Sequence, residues 1–329
     1  MSMITIAFAT HRPETLLLAR NEILHADLVI LEEPFNPDFI KVLKKEIPVS
    51  QYLASADIEY HEYGKRLIEL LQGLYFRGKS ILQVEPYLES LLKIQMKFAE
   101  GETVQQVTSD PLLAEVYEVE RKATGALIRF YKESVKGNFY RVIDSVIDFA
   151  RSDAARIVLR DRLRAERLSQ VIKPLPDDVR VYVEAGYIHM ALFVYLVRLM
   201  RGRSVIKPLY VMRDVVRSSI RGKLVLSPGD RLTLGFVFKG KFPHEKQALL
   251  AARSILYVKL IEKEELIPEG DFDFPHTMDE INTLKMIAKL DMEDCRTLFE
   301  NIRSIEQTSG RLGVHKCRRL VEEYLENKR

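Results

Sequence analysis

The chain has 329 residues, 47% of them hydrophobic and 29% charged, with 50 basic against 47 acidic side chains. That length exceeds what one typical core supports, so one large domain with an appendage, or two domains, is expected. The net charge of +3 carries no basic footprint for nucleic acid, and two cysteines without a CxxC spacing argue against a disulfide framework or a cysteine-built zinc site.

In chain order, Met3–Ala9 reads as a buried strand ending at Thr10-His11, with Pro13 opening an amphipathic helix to about His25. It has no basic leader or cleavage site, and no apolar run reaches the roughly 18 residues of a membrane span, so a cytoplasmic protein is expected. Ala26–Leu31 is the second strand, ending at Glu32-Glu33-Pro34. Helices are expected over Pro37–Lys45 and about Ala56–Leu71, the latter stopped by Gly73. Lys79–Val84 is the third strand, ending at Glu85-Pro86.

From 86 to 172 the pattern is helical, broken at Gly101, Asp110-Pro111 and Gly137-Asn138. It reads as an insertion across the mouth of the sheet. Its last helix, about Ser152–Ile172, carries Arg156, Arg160, Arg164 and Arg167 at helical spacing. The strand around Tyr182 and the turn Gly186–His189 lead into a helix over Ala191–Arg201. Ser204–Met212 reads as an edge strand because Pro208 interrupts it. Lys223–Leu226 and Arg231–Phe238 flank Ser227-Pro228-Gly229-Asp230 and read as a β-hairpin at 223–238. A helix follows over His244–Glu264. Ile267–Gly270 reads as a linker, and Thr277–Glu280 as a capping box opening a helical C-terminal region. The expected organisation is an α/β core at 1–265 and a helical region at 266–329.

Apolar runs bounded by Gly or Pro and alternating with helices imply a mainly parallel sheet covered on both faces. Ligands of such sheets sit beyond the carboxyl ends of the strands. There the sequence places His11, Glu32, Glu33, Glu85 and His189. Singly, each histidine is explained by capping a helix or bonding a loop carbonyl. Together, at matching places, they point to a site. Glu32 and Glu33 are adjacent and face opposite ways, and Pro34 keeps Glu33 extended, which favours it for the crevice. Glu184 interrupts an apolar run, so it must pair, bind a cation or take up a proton. The Arg stripe reads as a solvated face paired with Asp153, Asp161 and Glu166, or places Arg160 in the crevice as an anion binder.

Nucleotide loops, serine elbows and HExxH are missing. The order of Thr10-His11, Ala26–Glu32, Arg160-Asp161 and Gly186–His189 instead resembles the TraB/Tiki and erythromycin-esterase/ChaN-like superfamily. TraB-like members carry two GxxH motifs, a Glu closing the second strand and an Arg-Asp pair on the helix before the last GxxH. The second GxxH is present; at the first, Phe8 stands where the glycine is found. Thr10–Glu14 is similar to the THGxxE element of the esterase branch, again without its glycine. The resemblance implies a hydrolase acting on a small-molecule or peptide substrate. It carries over His11, Glu32 or Glu33, Arg160 and His189.

Two chemistries are open at this point. A divalent cation (Mn, Co or Zn), drawn from His11, Glu32, Glu33, Glu85, Glu184 and His189, would activate water. Without metal, one histidine would be general base, a glutamate its orienter, and Arg160 the stabiliser of developing charge. The rival is a non-catalytic ligand- or partner-binding protein. A homo-oligomer is the further partner considered.

Overall fold

In the computed structural model, residues 1–56, 60–240, 242–269 and 273–328 are described. Five parallel strands form one sheet: β1 Ser2–Ala9, β2 Leu28–Leu31, β3 Ser80–Gln83, β4 Arg180–Gly186 and β5 Ser204–Tyr210, in the order β3-β2-β4-β1-β5. The α/β class and parallel sheet are as the apolar runs require. β5 lies at an edge, where the missing N–H of Pro208 faces no ladder partner.

Alternation along the strands sorts the helices onto two faces. Ile4, Ile6 and Phe8 of β1, Leu28 and Ile30 of β2, and Val181, Val183 and Ala185 of β4 pack in one core. That core includes Ala165, Leu168 and Ile172 of α8 (Phe139–Ile172) and Leu192, Leu196 and Met200 of α9 (Met190–Leu199). The opposite parity belongs to Ala7, Val29, Leu31 and Tyr182, all buried. On the remaining helical elements, α1 (Pro13–His25) touches β4 and α4 (His61–Tyr75), and α4 touches β3. Tyr63, Leu67, Ile68, Leu71 and Leu74 form the buried stripe of α4.

Contacts divide the chain into two compact units: 1–118, 157–215 and 265–275 in the first, 119–156, 216–264 and 276–329 in the second. The boundary expected near 265 is therefore corrected. The C-terminal helices α13 (Pro275–Ile287), α14 (Met292–Ser309) and α15 (Val314–Asn327) have no separate core. Ile287, Cys295, Leu298 and Val321 share one with Val142 and Val146 of α8, Leu232 of α11 (Pro228–Val237) and Leu256 of α12 (His244–Leu260). The helical stretch 86–172 comprises α5 (Pro86–Ala99), α6 (Val104–Val107), α7 (Pro111–Lys136) and α8, and is divided between the units rather than forming one insertion.

In place of the hairpin expected at 223–238 stands the helix α11, preceded by irregular chain over 223–227. Ser227 Oγ accepts from the Asp230 N–H and Asp230 Oδ2 accepts from the Ser227 N–H, each at 3.0 Å. With Pro228 in the first turn, Ser227–Asp230 is a capping box, and the β-prone run behind it is helical because Leu232 and Leu234 reach buried positions. Conversely, Thr277 is no cap: α13 begins at Pro275 and Thr277 is buried in its first turn. Gly73 does not stop α4, which runs to Tyr75. Gly78, at φ +76, supplies the left-handed turn. The helix start expected near Ala56 runs into 57–59, and the linker's Gly270 lies outside the described residues. Among the described residues no helix is long and apolar enough to cross a membrane.

Candidate functional site

The carboxyl ends of β1, β2, β3 and β4 bring the expected residues to one edge, but in two separate clusters. Strand parity is the reason. Glu32 continues the alternation of Leu28 and Ile30 toward α8 and α9. Glu33 and Glu184 take the opposite parity, toward α4.

The cluster on the α8 side is a buried charge network. Glu32 is engaged at both oxygens. Oε1 lies 3.1 Å from His189 Nε2 and accepts from Arg160 Nη2 at 3.1 Å. Oε2 accepts from the Gly186 N–H at 2.6 Å and lies 3.6 Å from Arg164 Nη1. Glu85 Oε1 accepts from Arg160 Nε at 3.1 Å, and its Oε2 lies 3.5 Å from Arg164 Nε. Arg164 Nε donates to the Val84 carbonyl at 2.9 Å. His189 Nδ1 donates to Asp161 Oδ1 at 2.5 Å. Carboxylates at both ring nitrogens can be satisfied together only by an imidazolium. Burial would lower the His189 pKa, but Glu32 and Asp161 outweigh it and raise the value. Burial pushes Glu32 up, yet the charges of His189, Arg164 and Arg160 hold its carboxyl well below the usual range. Glu85 moves the other way: burial raises it despite the two guanidinium groups.

His189 sits at the N-cap of α9 without capping it. Asp161 does that from a distance, its Oδ2 accepting from the Leu192 N–H at 3.0 Å. A carboxylate suits the positive end of α9. Three acids and three bases thus neutralise one another where lone charges would be costly.

The cluster on the α4 side lines a cavity of about 180 Å³, bordered by His11, Glu32, Glu33, Tyr60, Tyr63, Glu184 and the α4 backbone at Gly64. The turn after β1 presents His11: Thr15 Oγ1 donates to the Thr10 carbonyl at 2.8 Å, and Pro13 starts α1 directly behind. The His11 side chain is 40% exposed, so it is reachable from solvent, and its Nε2 lies 3.8 Å from Glu184 Oε1. That oxygen accepts from Tyr63 Oη at 2.5 Å, while Glu184 Oε2 accepts from the Glu32 N–H at 3.0 Å. The Tyr63 ring lies beside the imidazole, centroids 5.5 Å apart. Glu33 Oε2 accepts from Gln83 Nε2 at 2.7 Å and from Tyr52 Oη at 3.4 Å. Burial, helped by the Glu184 charge, pushes the Glu33 carboxyl up. Burial likewise raises the Tyr63 phenol, with Glu184 next to it. At the rim, the Arg12 guanidinium stacks 3.5 Å over the Tyr60 ring.

The expected set therefore divides. His11, Glu33, Glu184 and one edge of Glu32 face the cavity, whereas His189, Arg160 and Glu85 stand behind it. The six candidate metal ligands are divided in the same way: Glu32 and Glu85 are clamped by guanidinium groups, and both nitrogens of His189 are in use. Among the described residues no three His, Cys, Asp or Glu are grouped to hold a metal ion. The Arg stripe is also split. Arg156 pairs with Asp153 and Glu120, Arg160 and Arg164 enter the buried network, and Arg167 is exposed. Sequence reasoning missed Arg164, Asp161 as the partner of His189, and Tyr63. The first two had a signal: they fall in the apolar stripe Ile157, Asp161, Arg164, Ala165, Leu168, Ile172, where a charge must find a partner.

An uncharacterized protein of Archaeoglobus fulgidus is 30% identical over 294 residues, covering 89% of this chain and 97% of that protein. The chain belongs to the same family. The aligned length is too great to lie within either unit, so the likeness extends over sheet and helical unit alike. No protein-family model matches the chain, and no solved structure matches it.

Proposed function

We propose that the protein is a hydrolase of small esters or amides, with His11 as general base and Glu33 as general acid. The observation that carries this is the cavity at the strand ends, onto which a solvent-reachable imidazole and a carboxyl whose pKa is raised by burial both face. A perturbed acid facing a cleft is a functional-site candidate. The resemblance to the TraB/erythromycin-esterase-like superfamily adds the reaction class. At about 180 Å³ the cavity is smaller than the ~300–1,000 Å³ of drug-sized ligand sites, so it takes a small substrate or the reacting end of a larger one.

In this mechanism His11 Nε2 removes a proton from water, and the hydroxide adds to the carbonyl carbon. Glu184, 3.8 Å from that nitrogen, stabilises the imidazolium by its charge once the proton has been taken up. The tetrahedral intermediate collapses as Glu33 gives its proton to the leaving oxygen or nitrogen. Exchange with solvent returns the proton from His11 and re-protonates Glu33. Arg160 and His189 act through Glu32, as positioning residues.

The test is a panel of small esters, lactones and dipeptides, assayed with chelator and with added Mn, Co or Zn. His11→Ala and Glu33→Gln should each cut the hydrolysis found by about 10²–10⁴ while the protein stays folded, with a cooperative melting transition. Hydrolysis indifferent to both substitutions would end the proposal and leave the non-catalytic binding role.

A further inference from the structure

The helical unit contains a second cavity, of about 430 Å³, within the size range of small-molecule sites. Its walls come from the end of α7, the second half of α12 and α14. Phe130, Ile255, Leu256, Phe299 and Ile302 are part of, or packed on, the unit's own core, so the cavity is that core left open on one side. Val135 and Val258 stand at the opening, 68% and 41% exposed. Apolar surface in water is ordinary when scattered, but here it is gathered at the opening of a recess.

The polar lining is one-sided in charge: Lys259, Arg303 and Arg311 against Glu306 alone. Glu306 is already spent. Lys259 Nζ donates to it at 2.6 and 2.8 Å, and the Leu312 N–H at 3.3 Å. The Arg303 guanidinium lies 5.0 Å over the Phe299 ring and bonds the Gly137 carbonyl, which fixes it at the rim. Arg311 is exposed and makes no ion pair among the described residues. The Ser134 hydroxyl is taken by the Phe130 carbonyl at 2.8 Å. What remains for a ligand is hydrocarbon inside and guanidinium cations at the rim.

We infer that this cavity binds an amphipathic anion, an apolar chain carrying one carboxylate or phosphate head. The chain lies against Phe130, Ile255 and Ile302, and the head is bound by Arg303 and Arg311, whose forked donors match planar or tetrahedral oxyanions. The walls offer no carboxylate to receive an amine head, since Glu306 is neutralised by Lys259.

Isothermal titration of the full chain with dodecanoate, dodecyl phosphate, dodecylamine and dodecanol, each below its micelle concentration, tests the assignment. One of the two anions should bind saturably at one site, about tenfold or more tighter than the amine and the alcohol, as one charge-assisted contact supplies. Which anion is tighter identifies the head group. The double variant R303Q/R311Q should lose about that factor. Val258→Trp fills the opening from an exposed position and should abolish binding at unchanged melting temperature; Val135→Trp serves if that variant unfolds. No saturable binding of either anion, or equal affinity for the amine, overturns the inference. So does a dimer in light scattering that Val258→Trp disperses, because a second copy would then be the occupant.

Discussion

Glu32 and Glu33 are consecutive, yet their carboxylates lie in different clusters with opposite titration. Glu32 Oε1 is 3.1 Å from His189 Nε2, inside a balanced ion network that holds it ionised. Glu33 reaches Gln83 and Tyr52 on the other side of the sheet, where burial raises its carboxyl. One step along an extended chain thus separates a positioning carboxylate from a candidate proton donor.

The acid limb of catalysis follows from that separation. Glu33 must be protonated to act, so kcat should fall as pH rises through its elevated value. Glu33→Gln should remove that limb and about 10²–10⁴ of the rate. A pH profile of wild type and variant on the best panel substrate checks both.

Arg164 is 1% exposed and faces two carboxylates. Arg164→Met would leave Glu32 and Glu85 with less compensating charge, and denaturant unfolding should show a loss of about 3–5 kcal/mol. Arg162→Met, which breaks only the exposed pairs with Glu115 and Glu166, should cost ~0–1 kcal/mol. Equal effects at the two positions would contradict the network.

Stability should fall between mildly acid and alkaline pH. The His189 pKa is raised in the fold, so its contribution is complete below its ordinary value of 6.5 and is lost as pH climbs through the folded value. Glu33 and Glu85, also raised, oppose folding as pH passes above their ordinary 4.5. Glu32, lowered, contributes above 4.5 and is lost only on strong acidification. Melting temperatures across pH 5–9 should therefore decline for wild type and decline less for Glu33→Gln, with a steeper or unchanged slope in the variant counting against the assignment.

A packing constraint is open to direct test in the helical unit. A Cβ at Gly235 would stand 1.7 Å from a ring carbon of Phe242. Gly235→Ala should destabilise by about 1–3 kcal/mol despite the better helix propensity of alanine. Phe242→Leu should recover part of the loss in the double variant.

Much of the sheet was determined by the sequence alone. Buried parallel strands are short apolar runs ended by turn residues, and these are local signals: hence β1 to β4, the edge position of β5, and the gathering of His11, Glu33 and His189 at one edge. The opposed facing of Glu32 and Glu33 is equally local, because the side-chain period of a strand is two. Tertiary structure decided the rest. Ser227–Asp230 fits a turn or a helix cap equally well, and burial of Leu232 and Leu234 selected the helix. His189 was expected in the crevice, but Asp161 and Glu32, 28 and 157 positions away in sequence, hold both its nitrogens. Which side of the sheet keeps an open cavity depends on how α4 and α8 fill their faces, and no spacing along the chain records that.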